Sequence, residues 1–269
     1  MQISVFYNHV LEAARQTGLA LEDVLSQVSR FGISQVELDS DQIKENPEGM
    51  AKLLNRHGLS ASCVYGFFDF GNHRQEEEAA RFIDDAASAG AGKVLVIPGF
   101  LQQTLAPPQR ESALKNMAEA VRRMCDYAEQ KGITVTMEDF DDIAAPFAQS
   151  DELLWFLSQA PKLGCTFDTG NFIYSGENEV EALDKLINRV VHVHCKDRSL
   201  EPNEGASKLA LTGTLLYPSP VGSGCIQIRE TLKRVRAHGY DGTLAIEHFD
   251  APDQLSYMRQ SAEWLLSAW

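Results

Sequence analysis

Apolar residues along the chain follow two spacings in alternation. Stretches whose apolar positions recur every three or four residues end at a glycine, and a short apolar run read in twos starts directly behind it. The glycines are Gly32, Gly58, Gly90, Gly132 and Gly239, placed where a left-handed residue closes the last turn of a helix. The runs behind them (ISQVEL, LSASCVYG, AGKVLVIPG, ITVTMEDF, YDGTLAIEHF) read as strands. Three more runs join the series: QISVFYN at the start, KLGCTFDTG at 162–170 and RVVHVHCKD at 189–197. Between them lie helical faces such as Leu21, Val24, Leu25 and Val28, or Ala113, Met117, Ala120, Val121 and Met124. Asn46-Pro47-Glu48 reads as a cap, a first-turn proline and a dipole-matched carboxylate, and Ser150-Asp151-Glu152 as another helix start.

Eight strands alternating with eight helices, about 34 residues per unit over 269 residues, predict an α/β chain folded as a single (β/α)8 barrel over 1–269. An open doubly wound sheet usually carries a Gly-rich phosphate loop after its first strand, and no G-x-G-x-x-G stands there. One stretch breaks the rhythm. Residues 199–225, with Pro202, Gly205, Gly213, Pro218, Pro220, Gly222 and Gly224, predict a long loop after strand seven. It is either a cover over the substrate or a passive surface insertion.

Charge and cysteine usage narrow the partners. Lys plus Arg number 24 against 38 Asp plus Glu, a net −14, which leaves no basic face for a nucleic-acid backbone. No apolar run reaches the roughly 18 residues of a membrane helix. The start, Met1-Gln2-Ile3-Ser4-Val5, has no basic region of a secretory signal. The expectation is a cytoplasmic chain without membrane contact, with a homo-oligomer left open. Five scattered cysteines without a Cys-x-x-Cys pair predict buried thiols in a reducing compartment.

In a parallel barrel the chemistry sits at the carboxyl ends of the strands. Four polar residues stand there on otherwise apolar runs: Glu138, Asp168, His194 and Glu247, at intervals of 30, 26 and 53, hence on strands five to eight. Pleat alternation puts Thr134, Thr136, Thr166, His192 and Ala245 on the same inward side, and Val135, Met137, Val191, Val193, Cys195, Leu244 and Ile246 outward. Three carboxylates converging at one mouth repel each other unless a cation sits between them. A divalent metal resolves the conflict.

These residues, in the settings Asp168-Thr169-Gly170-Asn171, HVHCKD around His194 and AIEHF around Glu247, resemble the xylose isomerase-like sugar phosphate isomerase/epimerase superfamily. The resemblance runs from Gly32–Leu38 to the Val221-Gly222-Ser223-Gly224 turn. It implies one divalent cation held at Glu138, Asp168, His194 and Glu247, and an activity among ketose 3-epimerases, hydroxypyruvate isomerase and inosose dehydratase. Two positions depart from the 3-epimerase pattern: Asn171 stands where those enzymes carry a substrate-binding His, and Glu138-Asp139 where they carry Glu-Pro. Apurinic endonucleases share the barrel but need further metal histidines and a DNA-facing surface, against which the seven scattered His and the charge of −14 argue.

Three carboxylates and one imidazole suit Mn2+ first, with Mg2+, Co2+ and Zn2+ open. The expected function is a metal-dependent isomerase or epimerase of a small carbohydrate. It would abstract the proton beside a carbonyl through a metal-stabilised enediolate, with Glu138 and Glu247 as acid and base on opposite faces. An inosose-type dehydratase and a non-catalytic sugar-binding barrel are the alternatives. For the substrate, Lys196, Asn171, His192, Arg198 and Glu37 are the candidate contacts. Their plain alternatives are a surface lysine, a core histidine hydrogen-bonded to the ligand shell, and a local salt bridge at Glu37. Phe6, Tyr7, Phe67, Phe68 and Phe70 are candidate walls of the pocket, with Asn8 and His73 near them.

Overall fold

The computed structural model describes residues 1–269. Its strands are β1 (Gln2–Phe6), β2 (Gln35–Asp39), β3 (Ser60–Phe67), β4 (Lys93–Ile97), β5 (Thr134–Met137), β6 (Gly164–Asp168), β7 (Val190–Ser199), β8 (Lys208–Leu209), β9 (Leu215–Ser219) and β10 (Thr243–Glu247). β1 to β7 pair in sequence, all parallel, and β10 closes the ring by pairing with both β7 and β1. This is the closed eight-stranded barrel that the spacing predicts. The five helix-ending glycines all take positive φ, between 70° and 93°.

The sequence reading is too simple in three connections. Two helices, Tyr7–Thr17 and Leu21–Arg30, lie between β1 and β2; Ser40–Ile43 and Pro47–Arg56 lie between β2 and β3; Phe172–Ser175 and Glu179–Leu186 lie between β6 and β7. β1 also ends at Phe6, because the helix begins at Tyr7. No helix is long and apolar enough to cross a membrane. The expected caps are present: Asn46 accepts from Gly49 N at 2.9 Å, and Glu152 accepts from Gln149 N at 3.2 Å.

Two layers of packing follow from the pleat. Outward residues such as Val135, Met137, Phe167, Val193, Cys195, Leu244 and Ile246 are buried against the helices, each contributing about 1.5–3 kcal/mol of burial for a side chain of this size. The barrel interior carries polar side chains as well. Ser4 Oγ meets Ser62 Oγ at 2.7 Å, and Thr136 Oγ1 meets Thr166 Oγ1 at 2.5 Å. Paired hydroxyls satisfy each other there, which lets the barrel carry polar side chains up to its mouth. Cys63, Cys125, Cys165 and Cys195 are buried as expected; Cys225 is exposed, being in the turn that leads away from the barrel.

The 199–225 excursion is more ordered than a loop. β7 runs on to Ser199 and pairs antiparallel with β9, which in turn pairs with β8. What holds it is one carboxylate. Asp197 accepts from the backbone N–H of Arg198 (2.9 Å), Gly222 (2.8 Å), Gly224 (2.9 Å) and Ile226 (3.2 Å). Gly224 has to be glycine, since a Cβ there would lie 2.3 Å from Asp197 Oδ1 and from Arg198 O. Asp197→Ala leaves four amides without their acceptor and is expected to cost on the order of 3 kcal/mol, read from urea unfolding. A loss under about 0.5 kcal/mol contradicts the assignment of this carboxylate as the tie.

Candidate metal centre

Each predicted ligand is positioned by a local device. Asp168 ends β6, and its Oδ1 accepts from Gly170 N (2.7 Å) and Asn171 N (3.0 Å). One oxygen is thereby tied to the backbone and the other, Oδ2, is left pointing inward. Thr169 stitches this turn to β7, its N donating to His194 O (3.0 Å) and its hydroxyl to Lys196 O (2.8 Å). The approach is close enough that a Cβ on Gly170 would lie 2.5 Å from Lys196 O. On β10, His9 Nε2 accepts from His248 N at 3.0 Å and the two rings stack at 4.6 Å, which fixes the backbone beside Glu247.

The structure brings all four strand-end residues together. Glu138, Asp168, His194 and Glu247 are buried, and one ligand atom from each lies within 4.8 Å of the others. From His194 Nδ1 the distances are 2.8 Å to Glu138 Oε2, 3.1 Å to Glu247 Oε2 and 3.9 Å to Asp168 Oδ2. Atoms bound at about 2.1 Å to one ion stand roughly 3 to 4.3 Å apart; two of the three distances fall in that range and the third is just short of it, so small side-chain adjustments suffice for a single cation. The four converging atoms also have no hydrogen-bond partner. In a buried site an unmet acceptor is costly, and a shared cation meets all four at once.

Electrostatics agree. Burial raises the Glu138 carboxyl against the pull of His194, and raises Asp168 to about 7, with Lys196 opposing and Glu247 and Glu138 adding to the shift. Burial lowers the His194 imidazole, but Glu37 and Glu138 outweigh it and the net shift is well upward. Each of these three shifts favours the protonated form when no cation is bound. Glu247 goes the other way. Burial raises it, yet Lys196 and His194 pull it below the ordinary carboxylate range.

The remaining predicted residues divide. Lys196 reaches the centre: Nζ donates to Asn171 Oδ1 (2.8 Å), stands 3.2 Å from Asp168 Oδ2 and pairs with Glu247 Oε1. It is 6% exposed, so it is no surface lysine. Asn171 does not line the cleft. It holds Lys196 with Oδ1 and donates from Nδ2 to Asp139 O at 2.8 Å. Arg198 does line the cleft, paired with Asp141 at 2.6 Å. Glu37 and His192 are fully buried one layer below, bonded to each other at 2.5 Å. Neither of them lines the cleft. Burial pushes the Glu37 carboxyl up, but His192 and His194 outweigh it and hold it at about 2.

Of the aromatic set, Phe6 and Phe67 line the cleft and Phe6 stands edge-on to the His194 ring at 5.1 Å. Tyr7, Phe68 and Phe70 do not line it; Phe68 and Phe70 stack on each other at 4.6 Å, away from the centre. Asn8 reaches the site indirectly, donating to Tyr65 OH at 2.7 Å, while His73 is exposed beside Asp69. Sequence reasoning missed Tyr65, Phe140, Asp141, Lys208, His248 and Phe249, which also line the cleft. Tyr65 was findable, since it shares the parity of Phe67. Lys208 was not, because nothing periodic marks the hairpin that carries it to Asp141 at 2.8 Å.

Known proteins share this fold. The family profile described as xylose isomerase-like TIM barrel matches residues 25–268. An inosose dehydratase of Geobacillus thermodenitrificans is 24% identical over 247 residues, covering 85% of this chain and 82% of its own. A xylose isomerase-like TIM barrel protein from Mycobacterium smegmatis, solved in complex with magnesium, superposes with a TM-score of 0.70 at 20% identity over 92% of this chain and 87% of its own. A D-allulose 3-epimerase from Methylomonas gives 0.76 at 15% identity over 100% and 98%. With its closed barrel and a match over nearly its whole length, this chain belongs to the xylose isomerase-like TIM barrel family.

Proposed function

We propose that the chain is a divalent-cation-dependent enzyme acting on an unphosphorylated polyhydroxylated ketone, removing the proton beside the carbonyl and expelling a neighbouring hydroxyl as water. The observation that carries this reading is the convergence of Glu138 Oε2, Asp168 Oδ2, His194 Nδ1 and Glu247 Oε2, four buried atoms without hydrogen-bond partners. The name of the inosose dehydratase relative supports the substrate class. Mn2+ and Mg2+ suit the oxygens, and the imidazole admits Zn2+. Bound there, the ion would polarise the substrate carbonyl and balance the charge that develops on its oxygen.

The protein's own groups supply the proton transfers. Glu138, with its carboxyl raised by burial, suits a base that works near neutral pH and takes the proton from carbon. Lys196, an ammonium aimed into the cleft beside Glu247, hands a proton to the departing hydroxyl. The C–O electron pair leaves with oxygen as water, and the C–H pair becomes the new carbon–carbon double bond. Unequal surroundings for Glu138 and Glu247, the first raised and the second held ionised beside Lys196, favour a single carboxylate base over two equivalent ones. Epimerisation is the second reading, favoured by the two carboxylates reaching in from β5 and β10, and by the likeness to a 3-epimerase.

Two features support a substrate without phosphate. Barrels commonly bind phosphate on backbone N–H groups of the loops after the seventh and eighth barrel strands, and here Asp197 already occupies those of Gly222, Gly224 and Ile226. The cations Arg198 and Lys208 at the mouth are both paired to Asp141.

Incubation of inososes and ketoses with enzyme and Mn2+ in deuterated water is expected to give water loss with the deuterium signature of α-proton removal. Deuterium-labelled epimers without water loss would establish the isomerase reading instead. Lys196→Met should lower dehydration by about two to four orders of magnitude while exchange of the α-proton continues; undiminished dehydration removes Lys196 as the acid.

Metal affinity should rise with pH. Because the metal-free site holds protons on His194 and on Asp168, whose carboxyl lies at about 7, a cation must displace them, and binding weakens as pH falls through neutrality. Calorimetry in buffers of different ionisation enthalpy should find about one or more protons released per ion. Proton release of zero contradicts the site. Asp168→Ala should weaken binding by more than about tenfold with the circular-dichroism spectrum unchanged.

A further inference from the structure

One fully buried group lies against the metal centre without lining the cleft. Glu37 is carried into the barrel on β2, at the point where the register against β3 shifts between Val36 and Glu37. A bulge of this kind re-aims a side chain. Glu37 Oε1 lies 2.5 Å from His192 Nε2, and Oε2 lies 3.2 Å from His194 Nε2. An ionised carboxylate accepts hydrogen bonds and donates none, so both rings face it with a proton on Nε2. On His194 this leaves Nδ1 turned toward Glu138, Glu247 and Asp168. It is the nitrogen a cation would need as a lone pair.

We propose that Glu37 is a positioning residue that fixes the tautomer and ring orientation of His194, with His192 as the second donor holding the carboxylate in place. It thereby sets how tightly the site takes a divalent cation. The inference rests on the reading of the four converging atoms as a cation site. Two acceptor oxygens are essential to it. A glutamine at this position accepts at one atom and donates at the other, so one of the two rings has to offer Nε2 as a lone pair. When that ring is His194, its proton moves to Nδ1 and blocks the ligand position.

The test uses full-length wild type and Glu37→Gln, each freed of metal with chelator and titrated with Zn2+ alone, together with 1H–15N spectra of the histidine rings in the zinc-loaded state. Wild type is expected to bind about one equivalent and to show slowly exchanging Nε2 protons on both His192 and His194. Glu37→Gln should bind roughly 10- to 100-fold more weakly and lose one of the two signals, while its metal-free melting temperature stays near that of wild type. If Glu37→Gln does not fold, His192→Phe serves as the second variant: it should keep the His194 Nε2 proton and lose less affinity. Wild type that takes up no Zn2+ defeats the cation reading itself. Wild type that binds Zn2+ while Glu37→Gln binds equally tightly overturns the role of Glu37 alone. Metal on Nε2 of His194 in loaded wild type overturns it as well, whatever the variants do.

Discussion

Like charge gathered in a low-dielectric place is the constraint on which this molecule is built. Three carboxylates and an imidazole meet within 4.8 Å at the mouth of the barrel, all buried, and burial alone would drive such groups to their neutral forms. The surroundings are arranged around that conflict. Lys196 neutralises part of it from the side, through Asp168 and Glu247. Glu37 acts from below, through the far nitrogen of His194. What remains is a set of ligand atoms aimed at one point, more acceptors than Lys196 and His194 can meet as donors.

Precision at that point comes from the barrel and from its turns together. The strands deliver the ligands to one rim, but the final aim is set by short-range bonds: the backbone amides on Asp168 Oδ1, the Thr169 hydroxyl across to β7, the His9–His248 contact beside Glu247. Glycine at 170 permits the approach of the β6 turn to β7. The hairpin after β7 is bound back by Asp197, and it brings Lys208 over the cleft to Asp141. Rigid backbone thus supports a cleft whose floor is charged and whose walls include Phe6, Phe67 and Phe249.

Most of this was legible in the sequence where a period or a strand end carries the signal. The eight barrel strands, the inward parity of Thr136 with Glu138 and of Thr166 with Asp168, and the four converging residues all follow from alternation and from the position of polar residues at strand ends. The paired helices after β1, β2 and β6 did not, because two short helical stretches in succession read as one. For Glu37 and His192, alternation says that they face inward, but their depth along the barrel axis depends on strand stagger and on the bulge at Val36/Glu37, which leave no periodic signal. The hairpin of β8 and β9 was invisible for a different reason. It is held by backbone amides on one carboxylate and by pairing to β7, neither of which leaves a hydrophobic period.

Anomalous diffraction from crystals soaked in Mn2+ reads the occupancy and the ligands of this centre. One strong peak per chain is expected, lying about 2.0 to 2.4 Å from Glu138 Oε2, Asp168 Oδ2, His194 Nδ1 and Glu247 Oε2, with His194 Nε2 still against Glu37. A peak bound elsewhere, or a mouth in which Lys196 Nζ fills the centre and the four atoms stay unmetallated at saturating Mn2+, would contradict the cation site.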